Sequence, residues 1–181
     1  KVLDVGCGAA NNLRFFVDRG LEGHGIDVTD DFVEMALENV KQLGYLAKIQ
    51  RGSNEQIPYE DNFFDILISI NTIHYQEGRE AYIRALREFS RVVKPGGLVV
   101  FSTVGMQHEF RTHSKREQEF SWLAKDYGFR SDNRFGFCDD ENHLISTLKE
   151  VFPKVETAVN TERYSTRTLE FIFAICRTSE A

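Results

Sequence analysis

Strand-like and helix-like segments alternate along this chain almost without interruption, and that alternation narrows the fold more than any other feature. Residues 1–5 read as a buried strand that stops at Gly6-Cys7-Gly8, and residues 11–19 as a helix closed by Gly20. Residues 23–28 form a second short strand. Asp30 or Asp31 then caps a helix whose Val33, Ala36, Leu37, Val40 and Leu43 recur at helical spacing, with Gly44 as its stop. A third strand fits residues 45–51. Residues 63–70 (FFDILISI) are a near-continuous apolar run, the pattern of a central strand covered on both faces. Residues 79–94 carry Tyr82, Leu86, Phe89 and Val93 on one helical stripe. Pro95-Gly96-Gly97 ends that helix and leads into a strand at 98–103. Alternation of this kind implies parallel strands joined by crossover helices.

The end of the chain departs from the pattern. A helix is expected near 141–152, followed by strand-like segments at 155–164 and 168–177. The short link between these two suits an antiparallel hairpin. The expected fold is therefore α/β and doubly wound, with a mostly parallel sheet finished by a terminal antiparallel hairpin. A length of 181 residues suits one domain over 1–181. Because the chain opens on a strand at Lys1, further residues are expected ahead of it in the natural protein.

Composition weighs against several functions. Hydrophobic residues at 41% and charged residues at 28% are ordinary globular usage. A net charge of −6 argues against a nucleic-acid or anionic-membrane partner, since phosphate binding needs clustered Lys and Arg. No apolar run approaches bilayer length. Cys7, Cys138 and Cys176 are an odd, scattered set without a CxxC pair. They give no metal framework and fit a reducing, cytoplasmic setting.

The chemistry-bearing motifs sit at strand ends. In Asp4-Val5-Gly6-Cys7-Gly8-Ala9-Ala10 the glycines let the backbone turn sharply against a ligand, while the next helix aims its N–H groups at the site. Such a loop alone is shared with plain turns. A dinucleotide fingerprint would place glycine where Asn11 stands, and Asp4 would repel a pyrophosphate but suits a cationic ligand. Asp27 lies about 20 residues beyond the loop, the separation at which a carboxylate reaches ribose hydroxyls. Its plainer reading is a helix cap, a role better suited to Asp30 and Asp31. A third motif runs from Gly52-Ser53-Asn54-Glu55 through Pro58-Tyr59 to Asp65.

The set VLDVGCG, GIDVT, RGSNEQIPYEDNFFDILIS and LREFSRVVKPGGLVVFST resembles the class I S-adenosylmethionine-dependent methyltransferases. It is most similar to the small single-domain group of ubiquinone-pathway and other small-molecule enzymes, over roughly residues 1–103. The resemblance implies a seven-stranded sheet with one antiparallel strand, S-adenosylmethionine as cofactor and S-adenosylhomocysteine as product. By position, Asp4, Gly6, Cys7 and Gly8 would frame the methionine part of the cofactor. Asp27 would take the ribose hydroxyls, Val28 would lie on the adenine, and Ser53 and Asn54 would meet its edge. Ser69 and its neighbours would face the amino group and the acceptor. Two positions depart from the family: Ala10 replaces the third glycine, a change that a helix start tolerates. Ser53 replaces an acidic residue and offers a weaker, neutral acceptor.

Methyl transfer from a sulfonium needs mainly alignment, because the leaving group is already in place. A general base is required only if the acceptor must lose a proton. His74 and Tyr75 stand where one could act, and Tyr75 could also present its ring to the sulfonium. His108 and His113 are alternatives, and packing is the plainer role for all three histidines. Residues 104–139 hold Phe110, Phe120, Trp122, Tyr127, Phe129, Phe135 and Phe137. They read as a partly helical insertion that lids the acceptor, or else as a surface excursion or a homodimer contact. The short basic run 113–116 lies beside Glu117 and Glu119 and makes no nucleic-acid patch.

The leading expectation is a methyltransferase acting on a small-molecule acceptor. A protein or tRNA methyltransferase is the alternative among enzymes, and a non-catalytic binding module the alternative outside them. Asp4, Asn11 and the closing hairpin count against a nicotinamide dehydrogenase.

Overall fold

The computed structural model describes residues 1–180, the side chain of Phe129 excepted. Its first half runs β1 (Val2–Val5), α1 (Asn11–Val17), β2 (Gly23–Asp27), α2 (Asp30–Leu43), β3 (Ala47–Arg51), β4 (Phe64–Ser69), α3 (Arg79–Val92) and β5 (Val93–Val104). A short α4 (Glu109–Thr112) and strands β6 (Ser114–Gln118), β7 (Ser121–Ala124) and β8 (Arg134–Phe135) follow. The chain closes with α5 (Glu141–Leu148), β9 (Lys154–Arg163) and β10 (Thr168–Arg177).

Seven strands form one sheet in the order β3-β2-β1-β4-β5-β10-β9. All four residues of β1 are buried, as a strand at the centre of a doubly covered sheet requires. It pairs in parallel with β2 on one side and β4 on the other. The terminal hairpin forms as expected, but its second strand does not lie at the edge. β10 inserts between β5 and β9 and runs antiparallel to both. One side of β10 is buried through Ile172, Ala174 and Cys176, giving the period of two that a strand imposes.

Local chemistry explains the helix ends. The Thr29 hydroxyl accepts the Phe32 N–H at 3.2 Å and caps α2. Asp30 and Asp31 sit in the first turn instead, where they oppose the positive end of the helix dipole. Gly44 ends α2 at φ 71°. Of the expected stripe only Ala36 and Val40 are fully buried, and Leu37 and Leu43 face outward. α3 packs Tyr82, Leu86, Phe89 and Val92 into the main core. From α3, Arg91 donates to the carbonyls of Ile57 and Tyr59 at 3.0 and 2.8 Å, and Glu88 accepts the Ile57 N–H at 2.9 Å. These bonds pin the segment that carries Ser53 and Asn54. Pro95-Gly96-Gly97 lies inside the fifth strand as an irregularity, with Phe64 facing Val93 and Ile66 facing Leu98.

The insertion 104–139 differs most from expectation. Regular helix is confined to α4, with one further 3-10 turn at Gly128–Arg130, and β6, β7 and β8 make a separate antiparallel sheet. The segment has no 3.6-residue apolar period, so strand pairing satisfies its backbone while Phe110, Phe135 and Phe137 pack into a small core of their own. Two backbone bonds dock it on the loop after β4: Gly78 N–H to Phe120 C=O at 2.6 Å and Gly136 N–H to His74 C=O at 2.8 Å. A Cβ at Gly136 would lie 2.0 Å from the Gln76 carbonyl oxygen, so the approach requires glycine. α5 stops at Leu148, earlier than expected. Among the described residues no helix is long and apolar enough to cross a membrane, and no cluster of metal-ligating side chains occurs.

Candidate active site

The sheet order reverses between β1 and β4, and ligands of open α/β sheets bind outside the strand ends at such a point. A cleft of about 500 Å³ opens there. Its floor is the loop between β1 and α1, where Gly6, Gly8 and Ala10 all have left-handed backbones. The Gly6 and Cys7 N–H groups both donate to the Ile26 carbonyl, at 2.9 and 3.0 Å. A Cβ on Gly6 would meet the Thr72 methyl at 2.3 Å, whereas one on Gly8 would meet nothing within 4 Å. One glycine therefore lets the loop press on the β4 turn, and the other faces open space.

Ala10 holds φ 59° at the start of α1. The replacement of the family glycine is thus not a matter of helix-start tolerance. It places a side chain in a conformation that costs an L-residue about 1–2 kcal/mol. The loop is held regardless, by the Tyr45 hydroxyl donating to Ala10 C=O at 2.5 Å and the Asn39 amide donating to Ala9 C=O at 2.6 Å.

Asp27 ends β2 and lines the cleft. Its Oδ2 accepts the Gly8 N–H at 2.8 Å and its Oδ1 the Val28 N–H at 2.7 Å. With Thr29 capping α2, the capping alternative for Asp27 falls away. Beside it, Val28 and Phe32 are large apolar side chains left about half exposed on the cleft wall. Ser53 and Asn54 close the opposite side. The Asn54 amide donates to Thr72 C=O at 3.4 Å.

Gly6, Gly8, Asp27, Val28, Ser53 and Asn54 thus meet in one cleft, while three other expected residues stand behind its wall. Asp4 is fully buried, with Oδ2 accepting from Asn12 at 3.5 Å and Oδ1 without a partner. Burial raises its carboxyl to about 7, the Asn12 bond opposes this, and the Asp27 charge adds to it. Cys7 points into the core between the sheet and α1, where burial pushes its thiol up to about 12. Ser69 is buried and its hydroxyl bonds the Thr72 hydroxyl at 2.5 Å, so its neighbours Ile70, Asn71 and Thr72 line the cleft in its place. The sequence reading missed Phe32, Thr72 and Gln76. Only Phe32 left a signal, as an apolar residue off the buried stripe of α2.

A second cavity, of about 170 Å³, adjoins the first and shares Asn71 and Tyr75 with it. The insertion supplies His108, Phe110, Tyr127 and Arg130, and β10 supplies Phe171. His74 is buried on its wall with Nδ1 unpartnered. Burial drives the His74 imidazole down to about 3, with the charges of His108 and Arg130 acting in the same direction. It is neutral at physiological pH and a poor proton acceptor. Tyr75 is half exposed, and its hydroxyl accepts from Arg130 at 3.3 Å. The His108 ring accepts the Phe110 N–H at 3.0 Å and caps α4. His113 is exposed and lines neither cavity.

The donor set suits an adenosyl sulfonium. A carboxylate stands at the tip of β2, half-exposed apolar side chains flank it, open space lies over Gly8, and the buried Asp4 leaves one oxygen without a partner behind the loop. Fold and cleft together define a class I S-adenosylmethionine-dependent methyltransferase. The chain belongs to the family described as "Methyltransferase domain", whose profile matches residues 3–101, and its cofactor is S-adenosylmethionine.

Among its relatives, the Mus musculus protein named "Probable tRNA methyltransferase 9B" is 31% identical over 67% of this chain and 25% of its own length. A demethylmenaquinone methyltransferase from Bacillus cytotoxicus is 33% identical over 69% of this chain and 61% of its own length. The chain therefore spans from a quarter to about three fifths of these relatives. The structure of a SAM-dependent methyltransferase from Methanosarcina mazei superposes with a TM-score of 0.81 at 18% identity, covering 99% of this chain and 92% of that one. At that identity the likeness concerns the fold.

Proposed function

We propose that this chain transfers the methyl group of S-adenosylmethionine to a small-molecule acceptor seated beneath residues 104–139. The observation that carries this reading is the meeting of the two cavities at Asn71 and Tyr75. A cofactor in the larger one and an acceptor in the smaller would face each other across those two residues. Bound there, the cofactor supplies a methyl group on a sulfonium that is its own leaving group. The chain's part is alignment and exclusion of water, which supply most of the acceleration when no difficult proton transfer is needed. Asp27 would hold the ribose, Val28 and Phe32 the adenine, Ser53 and Asn54 its polar edge, and the Gly6–Gly8 loop the methionine part. The insertion acts as the lid, with Gly78 and Gly136 as its docking points. In this reading His74 is a neutral hydrogen-bonding wall, not a base.

A tRNA acceptor is the second reading, favoured by the name of the mouse relative. The net charge of −6 and the small second cavity weigh toward the compact acceptor. Titration calorimetry with S-adenosylhomocysteine on wild type and Asp27→Ala tests the cofactor site. Transfer of labelled methyl to pooled small molecules and to tRNA then separates the two acceptors. Failure of the wild type to bind S-adenosylhomocysteine, or label recovered in tRNA alone, would overturn the proposal.

A further inference from the structure

Asn71 stands where the two cavities meet, with its backbone in the left-handed region at φ 60°. Two bonds to Ser102, a fully buried residue of β5, hold it there. The Asn71 backbone N–H donates to the Ser102 hydroxyl at 3.0 Å, and that hydroxyl donates to Asn71 Oδ1 at 2.8 Å.

This pair of bonds also orients the amide. The Ser102 oxygen already accepts the backbone N–H, so its own proton needs an acceptor. A nitrogen in place of Oδ1 would leave that buried proton without one. Oδ1 therefore faces Ser102, and Nδ2 lies on the outer branch of the amide. Asn71 is exposed, and no group among the described residues accepts from its Nδ2. Its two N–H donors are thus held at the junction across which cofactor and acceptor would face each other.

The small cavity beside Asn71 suits a ring. Phe110 stacks on Tyr127 with centroids 4.9 Å apart, and Phe171 meets His108 edge-on at 4.8 Å. The volume of about 170 Å³ is close to the roughly 150 Å³ that suffices for benzene. Burial favours the neutral form of His108, and its Nδ1 accepts the Phe110 N–H, so its proton sits on Nε2. Aromatic faces with neutral N–H donors among them are suited to a ring that offers a lone pair.

We propose that Asn71 binds the methyl acceptor, donating from Nδ2 to an oxygen or nitrogen lone pair of a compact ring, and that Ser102 is the positioning residue that keeps the amide turned that way. This inference rests on reading the small cavity as the acceptor site. It deepens that reading by naming the residue that holds the acceptor and the chemistry it recognises.

Pyridine and benzene are the probes, two rings of one size of which only pyridine carries a lone pair and neither carries a donor. They are titrated at pH 8, where pyridine is uncharged, into the ¹⁵N-labelled chain with and without S-adenosylhomocysteine, and followed by nuclear magnetic resonance. Asn71→Gly removes the amide and takes the left-handed backbone without cost. It should weaken pyridine about fivefold, the margin of a neutral hydrogen bond, and leave benzene within about twofold. Asn71→Asp keeps the oxygen that faces Ser102, loses the donors, and should weaken pyridine at least as far. The Asn71 side-chain signals, identified as the pair absent from Asn71→Gly, should shift with pyridine and stay still with benzene. In Ser102→Ala the same signals should show a mobile amide with a lowered heteronuclear Overhauser effect, and pyridine should weaken in part.

Binding of neither probe, side-chain signals unmoved by pyridine, or equal losses of pyridine and benzene in Asn71→Gly would each overturn the role of Asn71. An amide as rigid in Ser102→Ala as in the wild type would overturn the role of Ser102. S-adenosylhomocysteine binding is measured first and apart, so a chain that fails there refutes the cofactor reading. The probe comparison without it still decides Asn71.

Discussion

The carboxylate of Asp27 holds the N–H of Gly8 at 2.8 Å, so the tip of β2 and the loop after β1 form one unit. Asp27 therefore shapes the floor of the cleft as well as lining it. Asp27→Ala should lower S-adenosylhomocysteine affinity by about fiftyfold or more and cost about 1–3 kcal/mol of stability, because the Gly8 N–H loses its charged partner. Asp27→Asn keeps one carbonyl acceptor and should fall between. Calorimetry and thermal melts measure both. An Ala variant that binds within threefold of wild type would refute the assignment.

The buried Asp4 carries a stability signature. Its folded carboxyl, raised to about 7 from an ordinary 3.8, binds its proton more tightly than the unfolded chain does. Stability from this group is thus complete below about pH 4 and declines as the pH rises to 7. Asp4→Asn should match wild type near pH 4 and exceed it by up to about 4 kcal/mol at pH 8. Denaturant melts at the two pH values check this. A constant difference between them would show that Asp4 titrates normally.

His74 has the opposite sign. Its folded imidazole lies near 3 against an ordinary 6.5, so the unfolded chain binds the proton more readily between those values. The native state loses stability as the pH falls below 6.5. His74→Gln should flatten the decline between pH 6.5 and 4.5 in thermal melts. If the methyl transfer also shows no step attributable to His74 between pH 6 and 8, the residue is not a general base.

Ala10 balances two effects. Ala10→Gly relieves the left-handed backbone and loses a buried methyl, so stability should change by no more than about 1 kcal/mol. Ala10→Val adds a β-branched side chain in the same conformation and should cost more than about 2 kcal/mol. Equal effects of the two in chemical denaturation would mean that the left-handed conformation is not held in solution.

Gly136 docks the insertion. Gly136→Ala places a methyl against the Gln76 carbonyl and should release β6, β7 and β8 from the loop after β4. Hydrogen exchange in those strands should quicken at least tenfold while β1 and β4 stay protected. Unchanged exchange would show that the contact carries no weight.

Much of the central architecture was legible in the chain. Runs such as 63–70 and the glycine stops after strand and helix are local signals, and they placed β1, β2, β4, α2 and α3 within a few residues. So was the floor of the cleft, because Gly6, Gly8 and Asp27 take their conformations or bonds at strand ends whose positions the pattern marked. Thr72 was not legible: it matters through bonds to Ser69 and Val5 and through the space that Gly6 leaves it, contacts made between β1 and β4.

Local periodicity and turn chemistry thus decided, within the sequence, which segments would be strands or helices and which ends could bear a ligand. Only tertiary structure decided that β10 slips between β5 and β9 and that 104–139 builds its own sheet. The same holds for the route by which Arg130, Tyr75 and His74 reach one cavity. The reason is physical. The pairing of β10 with β5 and the docking of the insertion on the loop after β4 join residues far apart in the chain, so no window of neighbouring residues contains both partners. The small sheet itself pairs near neighbours, but its segments carry no alternation clear enough to mark them as strands.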